Sequence, residues 1–144
     1  MISIATDFQQ GTGNPYPHLQ AISAAGFTHL HWCHQWNTDF LYSTPEINQI
    51  RDWLAELNLQ LTDLHASAGS EKNWTSALEY ERLSGVELVA NRLEMVARLG
   101  SDVAVLHIPL EPEDEPARTA YWDRVRRSLD ALQACSRATG VRLA

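Results

Sequence analysis

The sequence has few basic residues and no long hydrophobic run. Its 144 residues include 11 Lys and Arg against 18 Asp and Glu, which gives a formal net charge of −7. The densest basic cluster, Arg124, Arg126 and Arg127, is small, and nucleic acids and anionic membranes both select for basic patches. No apolar run approaches the roughly 18 residues of a membrane-spanning helix, and the first residues lack a basic signal-peptide region. We therefore expect a cytoplasmic protein with no nucleic-acid or membrane partner.

The sequence also lacks the cysteine spacing of a metal site and the full glycine pattern of a dinucleotide-binding loop. Cys33 and Cys135 lie in different predicted elements without the short spacing of a metal site, so we interpret both as buried free thiols. The first strand–helix loop, residues 9–15, contains only Gly-x-Gly and lacks the third glycine of a dinucleotide fingerprint. A Rossmann domain is therefore disfavoured.

One kind of junction recurs along the chain. A helix-periodic segment ends at Gly or Asn, and a short β-rich run begins within two residues, at Gly26, Asn58, Gly100 and Gly140. Gly and Asn suit the left-handed position that ends a helix. The predicted strands are 2–6, 28–33, 60–65 and 102–107, and the helices between them carry apolar stripes. Strands that alternate with helices predict a parallel sheet.

The helix starts and the chain end complete this prediction. Thr44-Pro45 is interpreted as an N-cap followed by Pro at the first helical position, and Asn14-Pro15 in the same way. Residues 141–144 begin a fifth strand that the sequence does not finish. We therefore predict an α/β fold, a parallel (β/α) barrel of about four βα units plus the start of a fifth strand. On this interpretation residues 1–144 are the N-terminal half of a single barrel domain. Its exposed sheet edges favour self-association, for example as a two-fold dimer, or else leave the chain poorly soluble and partly unfolded.

Polar side chains collect at the predicted carboxyl ends of the strands, where parallel α/β folds bind ligands. Alternation places Asp63 and His65 on one face of strand three, together with Leu61, and His107 on one face of strand four. His65 and His107 are therefore expected at the same rim of neighbouring strands, with Asp63 orienting His65 from behind. Such imidazoles could bind a cation, bind a substrate hydroxyl or relay a proton; they could also be ordinary hydrogen-bonded histidines of a packed sheet.

Four residues at the end of strand two form a second candidate group: His31, Trp32, His34 and Trp36. On a strand, the spacing of His31 and His34 turns their side chains to opposite faces, which disfavours a shared metal. We interpret the four as substrate-pocket lining. His29 is expected to be structural, Trp53 and Trp122 to be core residues on helix stripes, and the acidic segment 111–116 to be solvated.

With these residues laid out, the chain resembles the xylose-isomerase-like barrel superfamily, specifically the sugar phosphate isomerases/epimerases. The likeness is carried by Ala25-Gly26-Phe27-Thr28-His29-Leu30-His31-Trp32, by Leu64-His65-Ala66, and by Ala97-Arg98-Leu99-Gly100 leading into Leu106-His107. It spans nearly the whole chain.

The resemblance implies an enzyme that converts one sugar into another through an enediolate intermediate. It implies a divalent cation at the barrel mouth, Mn²⁺, Mg²⁺, Co²⁺ or Zn²⁺, whose main carboxylate ligands come from strands beyond Ala144. His65 and His107 match the strand-three and strand-four histidines that line the substrate pocket, and they are the expected catalytic residues here. Two alternatives are a zinc phosphodiesterase like the apurinic-site endonucleases, in which similar histidines bind zinc, and a non-catalytic half-barrel that associates with another chain. The mouth segments 34–43 and 66–75 contain only Lys72 as a phosphate-binding cation, which favours the isomerase over the nuclease.

Overall fold

A computed structural model describes residues 2–8 and 13–144 of the chain. Within them, strands and helices alternate: β1 Ser3–Ala5, α1 Tyr16–Ala24, β2 His29–Trp32, α2 Thr44–Glu56, β3 Gln60–His65, α3 Glu79–Arg98, β4 Val103–Val105, α4 Glu115–Thr139 and β5 Arg142–Leu143. The strands form one parallel sheet in the order β1-β2-β3-β4-β5. The predicted α/β architecture is confirmed, although β1, β2 and β4 are shorter than expected. Gly11 and Thr12, on which the interpretation of the first loop partly rests, lie outside the described residues.

The helix ends follow the sequence signal. Gly26, Asn58, Gly100 and Gly140 have φ values of 85°, 54°, 85° and 73°, so each adopts the left-handed conformation expected where a helix ends. In the described part of the chain, no helix combines the length and the apolar character that crossing a membrane would require.

The two helix starts lie one residue away from their predicted positions. Ser43, not Thr44, caps α2: its hydroxyl accepts a hydrogen bond from the Glu46 amide, and the Glu46 carboxylate accepts one from the Ser43 amide at 2.8 Å. This capping box makes Thr44 the first helical residue. Pro15 is the N-cap of α1, and Asn14 instead accepts a hydrogen bond from the Tyr16 amide at 3.0 Å.

The core lies between the helices and one face of the sheet. Leu30, Trp32, Leu64 and Ala104 point from that face into a cluster with buried helix residues that include Leu19, Ile22, Leu54, Leu93, Val96, Val125 and Leu132. The helix stripes explain this packing because each presents apolar side chains to the sheet. Cys33 is buried and Cys135 half-buried, and both are free thiols.

The expected core position of Trp122 is wrong. Its side chain is 39% exposed, and its indole N–H donates to Glu111 at 2.7 Å. The neighbouring Tyr121 takes the inward position on α4 and is 5% exposed. Trp53 is half-buried and packs against the core, as predicted.

A β-bulge in β3 changes which side chains face the helices. His29 and Leu30 of β2 pair with Gln60 and Leu61, whereas the next residue, His31, pairs with Asp63. Thr62 is the additional residue. Leu61 therefore shares the helix-facing side with Leu30, and the expectation that it shares a face with Asp63 and His65 is wrong.

Candidate active site at the carboxyl ends of the strands

Two histidines on neighbouring strands come together at one edge of the sheet. His65 ends β3 and pairs with Val105 of β4, and His107 follows β4 two residues later. Their rings stack with centroids 4.5 Å apart and planes inclined by 14°. The placement predicted from strand alternation, on one rim of adjacent strands, is therefore confirmed.

Asp63 contacts His31 rather than His65. The register pairs His31 with Asp63, and a carboxylate oxygen of Asp63 contacts Nδ1 of His31. The expectation that Asp63 orients His65 from behind is wrong, because adjacent in-register side chains on one face lie close together whereas His65 is two residues further along the strand. This contact leaves Nε2 as the nitrogen of His31 that is not in contact with Asp63.

The indole of Trp36 covers the histidines. Its ring centroid lies 4.2 Å from that of His65 and 6.5 Å from that of His107. His31 meets His65 edge-on, with centroids 5.9 Å apart. We refer to His31, His65 and His107 as the imidazole cluster. Five of the seven residues predicted for the site thus come together, namely the cluster, Trp36 and Asp63.

The other two predicted site residues lie elsewhere. Trp32 is 1% exposed on the helix-facing side of the sheet, where its indole N–H donates to the Tyr42 hydroxyl at 3.3 Å. His34 is hydrogen-bonded through Nε2 to the Gly13 carbonyl at 2.8 Å and borders a separate cavity of about 370 Å³ beside α2. His31 and His34 therefore point to different regions, as their spacing indicates.

Asp7 is a residue of this region that the sequence interpretation did not select. It follows β1, and its carboxylate partly opposes the lowering of the pKa values of His31 and His65 that burial causes. Its position directly after a predicted strand was the signal available. Burial, assisted by Asp7, raises the pKa of the neighbouring Cys33 thiol to about 12, so this cysteine is not a nucleophile at neutral pH.

Two rings of the cluster, those of His31 and His65, favour the neutral form. Burial lowers the pKa values of His31 and His65; the Asp7 carboxylate opposes this effect at His31, and the hydrogen bond to the Ala66 carbonyl opposes it at His65, with Asp7 contributing less. A neutral imidazole offers one nitrogen as a hydrogen-bond acceptor and the other as a donor, which suits recognition of hydroxyl groups. Across residues 2–8 and 13–144, no group of three or more His, Cys, Asp or Glu side chains is arranged to hold a metal ion. These residues alone do not fit a metal centre.

A parallel sheet with helices on one face and polar side chains at its carboxyl end defines part of a (β/α) barrel. Residues 19–144 match the family model of the xylose isomerase-like TIM barrel, and the chain belongs to this family. The resemblance inferred from the sequence is confirmed.

The protein y4fM of Sinorhizobium fredii, which is described as uncharacterized, is 30% identical to the chain over 81% of this chain and 44% of its own length. Among the similar solved structures, D-psicose 3-epimerase in the presence of D-fructose has a TM-score of 0.70 and 19% identity, over 98% of this chain and 50% of that one. A xylose isomerase-like TIM barrel protein from Mycobacterium smegmatis, in complex with magnesium, has a TM-score of 0.63 and 14% identity, over 99% of this chain and 53% of that one. The chain therefore spans about half the length of the relatives it matches, which is consistent with a partial barrel.

Proposed function

We propose that the chain forms part of a sugar isomerase or epimerase and that the imidazole cluster binds its substrate. The observation that carries this proposal is the stacked pair of His65 and His107 under Trp36, at the ligand-binding end of a barrel whose family includes sugar epimerases. Neutral imidazoles suit the hydroxyl groups of a sugar, and the face of the half-buried indole suits its C–H groups.

The proposed roles follow from position. His65 and His107 are the proposed catalytic residues and contact the reacting part of the sugar. His31 binds a neighbouring hydroxyl group, with Asp63 holding its ring, and Trp36 covers the ring of the sugar. Trp32 and His34 lie outside this group, so any contribution of theirs to substrate binding is through the packing of the loop between β2 and α2.

A divalent cation and an enediolate intermediate belong to the proposal for the whole enzyme. When bound, Mn²⁺, Mg²⁺, Co²⁺ or Zn²⁺ would polarise a sugar carbonyl. Because the described residues do not fit a metal site, the ligands would come from outside them. We expect this chain alone to bind Mn²⁺ or Zn²⁺ weakly in calorimetry and to show no turnover.

We also propose the cytoplasm as the compartment, which the two free thiols support because disulfides are rare there. The nuclease alternative shares the histidines of the cluster but lacks the cations that would bind a phosphate backbone. Lys72 is the only Lys or Arg of segments 34–43 and 66–75, and a phosphate backbone is bound by several.

The proposal is tested by titrating the isotope-labelled chain with D-fructose and D-psicose while recording the ring signals of its histidines. The signals of His65 and His107 should shift with sugar, and the shifts should disappear in a Trp36→Ala variant. His29→Gln is a matched control, because His29 lies on β2 two residues before His31 and hydrogen-bonds its neighbour Thr28. Shifts caused only by DNA containing an abasic site would favour the nuclease, and the absence of any shift with sugar would contradict the proposal.

A further inference from the structure

Trp36 lies in a loop that is anchored to its surroundings by backbone hydrogen bonds. We refer to residues 33–42, between β2 and α2, as the Trp36 loop. The carbonyl of Trp36 accepts hydrogen bonds from the Ser67 hydroxyl at 2.6 Å and from the Ala68 amide at 3.1 Å. The loop that follows β3 therefore holds the backbone of Trp36 directly above His65.

Asp39 forms a second anchor. Its carboxylate accepts hydrogen bonds from the Lys72 amide at 2.8 Å, the Glu71 amide at 3.2 Å and the Ser70 hydroxyl at 2.8 Å. The hydrogen bond from Lys72 is the main reason that the pKa of Asp39 lies below its usual value. Hydrogen bonds to an ionised acceptor are stronger than those between neutral groups, so Asp39 ties the Trp36 loop firmly to residues 70–72.

Gly69 shows how closely these two loops fit. A Cβ atom at this position would overlap the Asp39 carboxylate, and it would approach the Leu88 side chain to 3.0 Å and the Lys72 carbonyl to 3.1 Å. Asp39 has little freedom to move away because three donors hold it. The absence of a side chain at position 69 therefore lets the turn close around Asp39.

Arg92 forms a third anchor from within α3. It is 1% exposed, its guanidinium donates to the Phe40 carbonyl at 2.7 Å, and it lies over the Tyr42 ring at 4.5 Å. Its neighbour Asn91 exchanges hydrogen bonds with the backbone of Tyr42 at 2.8 and 2.9 Å. Within the described part of the chain Arg92 forms no ion pair with a carboxylate, and a buried cation without one is costly. The guanidinium also donates to the Asn91 side chain at 2.7 Å, so both of its hydrogen bonds support the C-terminal end of the Trp36 loop, one directly and one through Asn91.

We propose that Asp39 and Arg92 are positioning residues that fix the Trp36 loop so that the indole covers His65 before any ligand binds. The importance of the fixed indole for sugar binding rests on the proposed function, whereas the placement of Trp36 does not. If the loop is ordered before the sugar binds, binding does not include the entropy cost of ordering it.

The placement is tested by NMR on the full 144-residue chain, because the ring current of Trp36 shifts the ring protons of His65. Trp36→Ala defines the change in His65 when the indole is absent. Asp39→Ala should move the His65 signals in the same direction and by most of that change, while the far-UV circular dichroism stays that of a folded protein. Asp52→Ala is the matched control, since Asp52 is exposed and pairs with its neighbour Arg51. It should leave His65 unmoved.

Milder variants keep the test decisive if Asp39→Ala does not fold. Ser70→Ala removes one of the three donors, and Arg92→Lys removes the forked guanidinium; each should move His65 part of the way. D-fructose should also bind these variants more weakly than the wild-type chain. If the sugar binds no form of the protein, the proposed function fails while the His65 signals still test the placement. His65 signals that stay in place in Asp39→Ala, Ser70→Ala and Arg92→Lys but move in Trp36→Ala would overturn the inference.

Discussion

The imidazole of His65 couples the candidate site to folding stability. Burial lowers the pKa of His65 and also that of His34. Because the folded pKa lies below the value of about 6.5 in an unfolded chain, the unfolded state binds more protons as the pH falls through that value. The stability contributed by the neutral rings is therefore complete above about pH 6.5 and is lost as the pH falls.

We expect the urea midpoint of unfolding to be lower at about pH 5.5 than at about pH 7.5. In His65→Gln and His34→Gln variants this dependence should be shallower, because one of the groups that takes up protons on unfolding is removed. Asp39 and Glu79 titrate below this range, since their pKa values are lowered too. A wild-type protein that becomes more stable on acidification, or variants with the wild-type slope, would contradict this account.

Gly85 marks a close crossing of α3 over the preceding loop. A Cβ atom here would overlap the backbone nitrogen of Trp74 and lie 2.7 Å from its Cα atom. Gly85→Ala should destabilise the chain by about 1–3 kcal/mol through overpacking, which outweighs the gain of about 1 kcal/mol in helix propensity. Ser84→Ala, one residue earlier on the same helix, should stay within about 0.5 kcal/mol of wild type. Chemical denaturation measures both, and equal effects would show that the loop accommodates the methyl group.

At the residue scale, the sequence allowed some of the site to be predicted and not the rest. The position of His65 and His107 at one rim of neighbouring strands could be predicted from side-chain alternation, because no bulge lies at the ends of these strands. The contact between Asp63 and His31 could not be predicted in this way, because no Gly or Pro in β3 signals the bulge at Thr62. Trp122 fits the helix period as well as Tyr121 does, and only the packed structure distinguishes them.

At the scale of elements, helix ends were easier to predict than helix starts. An end needs a left-handed residue, and Gly or Asn supplies it at one position. A start at Ser43-Thr44-Pro45 offers two hydroxyl residues in succession, either of which can cap. The carboxylate of Glu46 decides between them, because it is three residues after Ser43 and completes a capping box with it.

Ser43→Ala should therefore destabilise the chain by about 1 kcal/mol, the usual effect of losing an N-cap side chain. Thr44→Ala is a matched control at the neighbouring exposed position and should change the unfolding free energy by less than about 0.5 kcal/mol. Urea denaturation of the two variants compares them directly. The opposite order of effects would restore Thr44 as the cap.

At the scale of the whole molecule, the order of the elements was sufficient to predict the parallel sheet and its neighbours, since each strand pairs with the next in sequence. Which side chains lie on the face of the sheet opposite the helices was harder to predict from the sequence. Ser3, His31, Asp63 and His65 share this face with Ala5, Val103 and Val105, whereas Ile4 pairs with Leu30 and faces the helices. The face opposite the helices is therefore mixed, with two half-buried valines and an alanine beside the polar side chains, and it adjoins the unpaired edges of the sheet.

Those edges predict self-association of this chain. In the described residues β1 pairs only with β2 and β5 only with β4, so one row of backbone donors and acceptors is unpaired on each side. Unpaired edges are templates for another strand, and a lysine on an edge strand discourages such pairing. Light scattering after size exclusion should give a mass above 16.2 kDa at micromolar concentration.

Ser3→Lys, on the exposed edge of β1, should lower this mass, whereas Ala131→Lys, which adds the same charge on the exposed side of α4, should not. A monodisperse, cooperatively unfolding wild-type monomer would refute the prediction, and equal effects of the two lysines would show that net charge rather than edge pairing controls association.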